Sequence, residues 1–377
     1  MRNEDRPPAR AVPAAGAPAT APLPLSPRPL AECYDVALLD LDGVVYAGQA
    51  AIPGAVRALA AARSAGLRLA FVTNNASRSP SSVAEHLSRL GVPAAGPDVV
   101  TSAQAAATLI AGRFPPGSPV LVVGAIALRL ALRERGLRPV SVAADRPVAV
   151  VQGYTSDLSY DLLAEAALAV RAGALYVASN ADSTLPTARG LQPGNGSLLQ
   201  VVITATGVRP VVAGKPEPPL HAEAMTRTGA RRPLVVGDRL DTDIEGAVRG
   251  GADSMLVLTG VTSAKDAVLA RDGQRPTYLA AGLAGLLEPQ PAVGPGTAAG
   301  SADPSPDAVS GNGRAAGRGF RCGGWEAWRP GGTEPIRLTG DGAWIDGLRA
   351  LCAAAWSAGQ PASEQAGPAL DVLGPPR

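Results

Sequence analysis

The feature that most constrains the fold is an apolar run, residues 34–41, that leads into Asp40-Leu41-Asp42-Gly43. So short and so apolar a run marks a strand buried on both faces of a parallel sheet. Residues 53–66 follow as a helix: Pro53 suits the first turn, Val56, Leu59 and Ala60 share one face, and Gly66 ends it. Residues 67–73 read as a second buried strand and 79–91 as a second helix. Strand–helix alternation with short connections predicts an α/β domain with a parallel sheet. From about residue 104 it continues, with strands near 120–124, 148–153 and 174–179 and helices near 126–136 and 160–172. Spacing leaves open whether this stretch extends the first sheet or forms a second α/β domain. Short strands at 211–213, 234–237 and 254–258 complete the pattern.

Composition narrows the partners. The 34 basic residues balance 32 acidic ones, a net of +2, too weak a field to argue for nucleic acid or an anionic membrane. Only Lys215 and Lys265 of those 34 are lysines, a usage that reflects coding bias and not recognition. Aromatic residues make up 3% of the chain, so its core must be aliphatic. Cys33, Cys322 and Cys352 lie far apart without metal-binding spacing, which argues for a reducing compartment. No apolar run has the roughly 18 residues of a membrane span, and the proline-broken N-terminus lacks the pattern of a signal peptide. The expectation is a cytoplasmic protein.

Four clusters carry chemistry, each beyond an expected strand. Asp40 and Asp42, at i and i+2, project to one side, where two carboxylates repel unless a proton or a cation intervenes. Ligands of open α/β sheets bind at such carboxyl ends, although an Asp pair before Gly also serves in plain turns. Thr73-Asn74-Asn75 offers a hydroxyl and two amides to phosphate oxygens, or a cap to the next helix. Gly214-Lys215-Pro216 holds a rare lysine on a constrained backbone; a surface lysine is the alternative. Gly237-Asp238-Arg239-Leu240-Asp241-Thr242-Asp243 places three acids where a hard cation, or a helix N-terminus, would use them.

In this order the four motifs resemble those of the haloacid dehalogenase-like (HAD) phosphatase superfamily, within it the NagD-like branch. The resemblance spans roughly residues 33–285. It implies a parallel-sheet catalytic core at 33–103 and 206–285 with an α/β cap inserted at 104–205. Gly153-Tyr154-Thr155-Ser156-Asp157, Asn180-Ala181-Asp182 and Pro193-Gly194-Asn195-Gly196 are similar to the branch's cap signatures. Around this unit we expect a disordered arm at 1–32, a flexible linker at 286–318, a small hairpin-plus-helix extension at 319–360 and a disordered tail at 361–377. The extension, from Gly324-Trp325 through Asp346 to Cys352, is similar to that of actinobacterial members and to a fragment of an acetyltransferase fold, too short for an acyl-CoA site.

Carried over residue by residue, the resemblance implies a magnesium-dependent phosphatase. Asp40 would be the nucleophile and Asp42 the acid and base; magnesium would bind Asp40, the Asp42 carbonyl and Asp238. Thr73, Asn74, Asn75 and Lys215 would hold phosphoryl oxygens, with Asp243 orienting metal waters or Lys215. Asn180 and Asp182 would face the substrate from the cap, with Asp157 and Arg189 as further cap candidates; Ala181 stands where the family often has proline. An acidic cap loop would disfavour a second anionic group and favour hydroxyls. The C-terminal extension resembles that of actinobacterial members, some of which are similar to glycerol 3-phosphate phosphatases. The resemblance therefore implies a small phosphorylated metabolite as substrate, glycerol 3-phosphate first and 2-phosphoglycolate second, with a broad p-nitrophenyl-phosphate-type phosphatase as a further alternative. A homodimer through the cap is also implied. A phosphotransferase, a dehalogenase and a phosphometabolite sensor are the competing classes. Asp42 argues against the dehalogenase, and the intact motifs argue against the sensor.

Overall fold

The computed structural model describes residues 23–187, 189–296, 317–360 and 363–375. Its centre is a six-stranded, all-parallel sheet in the order Tyr278–Ala280, Asp253–Val257, Pro233–Gly237, Val36–Leu39, Arg68–Thr73, Val99–Thr101. The strands form as the apolar runs require, because successive side chains enter different layers. Ala37, Leu39, Phe71 and Val236 pack on one face, with helices Ala55–Ser64 and Pro80–Arg89. Val36, Leu38, Ala70, Val72 and Val235 pack on the other, against helices Ser102–Ala111 and Pro218–Thr228. Neither face is wet, so neither shows polar alternation.

The second stretch is a sheet of its own. It is also parallel, ordered Val211–Val212, Leu175–Ala178, Ala149–Gln152, Pro119–Val123, Arg138–Val140. Helices Tyr160–Arg171 and Asn195–Thr206 cover one face, over Leu121, Val150, Tyr176 and Ala178. Val120, Val122, Val151 and Val177 on the opposite face continue the core's own apolar cluster. The unit inserted here is therefore shifted from 104–205. Helix Ser102–Ala111 belongs with the core, where its buried alanines pack, and Val211–Val212 pairs with Leu175–Ala178 and so belongs with the inserted sheet.

Four expectations for the flanks need correction or limits. The arm is ordered from residue 23: Leu23 is buried, Ser26 exchanges backbone hydrogen bonds with Gln290, and Leu30–Cys33 is a short helix. Residues 1–22 lie outside the described residues. The expected linker is ordered over 286–296, where Gly294–Pro295 joins an antiparallel sheet with Arg318–Cys322, Trp325–Arg329 and Arg337–Gly340; 297–316 lie outside. Three strands and helix Trp344–Trp356 thus replace a hairpin and helix. The tail is a helix, Ser363–Leu373, because Ala366, Ala369 and Leu373 recur on one buried face.

The C-terminal unit is not an appendage. Helix Trp344–Trp356 buries Leu348, Leu351 and Cys352 in one cluster with Leu256 and Leu279 of the core sheet. Arg349 reaches across this seam. Its guanidinium donates to the Leu279 carbonyl at 3.1 and 2.6 Å, to Gln290 at 2.8 Å and to Asp346 at 2.7 Å. Arg349→Met keeps the aliphatic stem but leaves a buried carbonyl and an amide oxygen unpartnered. We expect a loss of about 2–3 kcal/mol in unfolding free energy, measured by urea denaturation.

Candidate active site

Three adjacent central strands aim their carboxyl ends at one spot. Val36–Leu39 delivers Asp40, Arg68–Thr73 ends on Thr73, and Pro233–Gly237 delivers Asp238. Lys215 arrives from the segment that returns from the inserted sheet, just beyond Val211–Val212. Its buried ammonium donates to Asp40 Oδ1, to Asp243 Oδ1 at 2.6 Å and to the Val72 carbonyl at 3.3 Å. All four sequence clusters therefore meet.

Asp243 gets there through an irregular turn. In Leu240–Ile244 the Ile244 N–H reaches back five residues to the Arg239 carbonyl at 3.2 Å, a π-type turn of the sort that recurs at functional sites. Asp243 is thereby swung under Lys215, and its Oδ2 accepts from the Arg239 N–H at 3.2 Å. Gly237 is needed directly beneath, since a Cβ there would overlap the Asp243 side chain.

One oxygen each of Asp40, Asp238 and Asp243 lies within 4.8 Å of the others. Three carboxylates against one ammonium leave surplus negative charge. Burial pushes Asp40 well above its usual value; Lys215 opposes this, and Asp243 and Asp238 add to it. Burial also opposes the Lys215 ammonium, but Asp243 and Asp40 outweigh it and keep the lysine protonated. Burial, then Asp243, raises Asp238 to about 6. Asp238 Oδ2 accepts from the Val261 N–H at 2.7 Å, whereas Oδ1 is buried without a hydrogen-bond partner. An orphaned carboxylate oxygen beside other carboxylates fits a hard cation with oxygen ligands, magnesium above all. Asp42 lies at the exposed mouth, and the surrounding protein raises its carboxyl while Arg78, Lys215 and His86 pull it down.

Not every expected residue offers a free side chain. Thr73 Oγ1 accepts from the Asn75 N–H at 3.1 Å. Asn75 is exposed and its Oδ1 accepts from Ser77 N–H and Oγ, both at 2.8 Å, so it stabilises a turn. The Asn74 amide is committed to Lys215 and Asp182 instead of pointing freely into the site. Asn180 bonds to the Asn74 carbonyl at 2.8 Å, which brings the Asn180–Asp182 loop against the core. Asp157 and Arg189 are exposed and bond locally, Asp157 to Thr155 and Ser156, Arg189 to Thr187. The sequence reading missed the loop after Asp253–Val257, where Gly260 and Val261 wrap Asp238 and Thr259 Oγ1 donates to the Gly43 carbonyl at 2.6 Å. The carboxyl-end rule applied to that strand was the signal that could have found it. It also passed over Arg239, whose guanidinium grips Asp241 at 2.8 and 3.0 Å.

Two family models match: haloacid dehalogenase-like hydrolase over residues 37–138, the first part of the core and the start of the inserted unit, and HAD-hydrolase-like over 212–286. The chain belongs to the haloacid dehalogenase-like hydrolase family. Among its relatives is a D-glycerol 3-phosphate phosphatase of Mycobacterium tuberculosis, 55% identical over 259 residues, 69% of this chain and 72% of that protein. A 5'-nucleotidase of Bacillus subtilis is 38% identical over 65% of this chain and 94% of its own. The crystal structure of the M. tuberculosis glycerol phosphate phosphatase with magnesium superimposes with a TM-score of 0.79 at 45% identity, covering 92% of this chain and 99% of that one. A p-nitrophenyl phosphatase of Archaeoglobus fulgidus gives a TM-score of 0.63 at 30% identity, over 67% and 98%. Residues 322–374 match a GCN5-related N-acetyltransferase-like domain.

The charge surplus predicts how the cation is felt. With Asp238 raised from 3.8 to about 6, the metal-free fold binds the extra proton more tightly than the unfolded chain does. This stabilising contribution is full below about pH 4 and lost as pH rises through about 6. Magnesium should reverse the trend: it raises the melting temperature at pH 7.5, and its apparent affinity falls about tenfold per pH unit below about 6 as protons compete for Asp238. Asp238→Asn should remove the magnesium shift without lowering the metal-free melting temperature, because it relieves like-charge repulsion. Differential scanning calorimetry with and without magnesium reads both.

Proposed function

We propose that this chain is a magnesium-dependent phosphoric monoester hydrolase that works through an aspartyl phosphate on Asp40, with glycerol 3-phosphate as its substrate. The observation that carries the chemistry is the Lys215 ammonium held between Asp40 and Asp243, with the free Asp238 oxygen alongside. A carboxylate and a phosphate dianion repel, and a site that hydrolyses phosphate esters must offset that repulsion before they can meet.

In this reading one Asp40 oxygen attacks phosphorus while the bond to the ester oxygen breaks. Asp42, whose carboxyl is raised and which stands at the mouth, gives its proton to the departing alkoxide. Water then attacks the phosphorus of the aspartyl phosphate, and Asp42 takes the proton released. Inorganic phosphate departs and the Asp40 carboxylate is restored, so one hard hydrolysis becomes two easier transfers. Lys215 and the Thr73 hydroxyl face the transferred oxygens. Asp40, Asp238 and the Asp42 carbonyl would hold magnesium, which supplies further positive charge against the phosphate. Asp243 keeps Lys215 in place from below.

The substrate reading rests on the cap loop and on the M. tuberculosis relative. Asp182 brings a carboxylate to the core–cap seam, where it disfavours a second anionic group and suits hydroxyls. A homodimer through the cap fits the exposure of Leu168 and Val201 on its helices. Among the described residues no helix is long and apolar enough to cross a membrane, and the three free cysteines support a cytoplasmic location.

Phosphate release should be measured for glycerol 3-phosphate, 2-phosphoglycolate, a nucleoside monophosphate and p-nitrophenyl phosphate. The expected order of kcat/KM puts glycerol 3-phosphate first. Asp40→Asn should lower every rate by at least about 10⁴-fold while the variant still unfolds in one cooperative transition well above the assay temperature. Activity that persists in that variant defeats the covalent route, and a lead for 2-phosphoglycolate or the nucleotide defeats the substrate assignment.

A further inference from the structure

The residue that occupies the seam between core and cap is Asn74, and its bonding pattern differs from that of a phosphate ligand. Its side-chain oxygen accepts from the Lys215 backbone N–H at 2.8 Å, while its amide nitrogen donates to the Lys215 carbonyl at 3.1 Å. One amide thus grips both polar groups of a single residue, as a neighbouring strand would. The amide nitrogen also meets the carboxylate of Asp182 at 3.2 and 3.3 Å. The Asn74 backbone carbonyl accepts from Asn180 Nδ2 at 2.8 Å and from Ser102 Oγ at 2.6 Å. Four segments therefore converge: the second core strand, the helix that follows Val99–Thr101, the cap loop and the lysine loop.

Sterics support the same arrangement independently. A Cβ at Gly214 would lie 2.6 Å from Asn74 Oδ1, 2.6 Å from the Ser179 carbonyl and 3.1 Å from Asn180 Cβ. Any larger residue there would wedge the cap loop away from the lysine loop. On the cap side the loop is anchored in turn. Asn195 Nδ2 donates to the Asn180 carbonyl at 2.7 Å, Gly196 N–H to the Asp182 carbonyl at 2.8 Å, and Asp182 N–H to Asn180 Oδ1 at 3.2 Å. The loop is stiff within itself, and its side-chain link to the core runs through Asn74.

The geometry points to Asn74 as a latch: a positioning residue whose one amide both fastens the cap loop at Asp182 and seats the loop carrying Lys215. This rests on the phosphatase reading for its purpose, but the latch itself needs no turnover to be observed. Asparagine suits the post because one planar group supplies an acceptor and two donors. Aspartate has the same shape and fails at each donor position, since it would set a carboxylate against the Lys215 carbonyl and the Asp182 carboxylate.

Amide hydrogen exchange on the full-length, ligand-free protein tests it. D182A cuts the cap link and keeps the lysine clamp, so exchange over residues 179–196 should rise about tenfold while 211–218 stays as in the wild type. N74D should raise exchange in both segments. The reversed pair N74D/D182N exchanges donor and acceptor and should bring 179–196 back to within about threefold of wild type. Unchanged exchange at 179–196 in N74D would overturn the latch, as would a rise spread over the whole chain or no recovery in the reversed pair. With p-nitrophenyl phosphate, N74D should lower kcat more than it raises KM, because the ammonium is displaced; failure of the phosphatase assignment would leave the exchange results standing.

Discussion

The buried ammonium of Lys215 ties together parts of the chain that are distant in sequence. Asp40 follows the first core strand, Asp243 follows the third strand of the site, and the lysine itself enters from the inserted unit. Taking these charges out of water is expensive, and the mutual attraction repays the cost only with good geometry and satisfied hydrogen bonds. Here all three ammonium hydrogens have acceptors: Asp40, Asp243 and the Val72 carbonyl. Below lies His221, fully buried, its ring held neutral with a pKa lowered to about 4 by burial and by Lys215. A second cation is thus kept out of the region. The carboxylates remain in excess, which is the condition for attracting a divalent cation and, through it, a phosphate.

That arrangement requires backbones to approach closely, and glycine makes room at the points of contact. Gly43 adopts φ of +83°, and a Cβ there would lie 2.7 Å from the Asp238 carboxyl carbon. Gly260 presses on the same carboxylate from the opposite loop. Asp238 is caged between two glycines, with one oxygen bonded to Val261 and the other left free. A carboxylate fixed in this way does not have to be ordered when the cation arrives, so less conformational entropy is lost on binding.

How much of this was legible follows from range. Strand positions were readable because burial on both faces leaves runs such as 36–39 and 69–72 without polar residues. The convergence of Asp40, Asp238 and Asp243 was readable because their clusters sit at strand ends in recognisable order. Side-chain commitments were not. Nothing in Thr73-Asn74-Asn75 shows that the middle amide turns toward a lysine loop 141 residues later while the last one caps a turn. The flanks misled for a different reason. Ala-, Gly- and Pro-rich composition suggested disorder at 23–32, 286–296 and 363–373, but small apolar residues such as Ala366 and Ala369 order well when a partner surface exists elsewhere in the chain.

The partner surface is the core sheet itself. A doubly covered parallel sheet needs helices on both faces, and past Pro233–Gly237 the core supplies to the face shared with Val235 only the short helices Glu245–Arg249 and Ala264–Val268. Leu256 and Leu279 share one cluster with Ala267 and Val268 of the latter helix and with the C-terminal helix Trp344–Trp356, and Leu23 joins it from the N-terminal end. Ile244, the last residue of the π-type turn that carries Asp243, is buried there too, with Leu240 packed at the edge. The turn that aims Asp243 at the ammonium is therefore backed by residues from the far end of the sequence. An interior packed at crystal-like density transmits displacement, so the C-terminal unit supports the position of that turn through packing without touching the site.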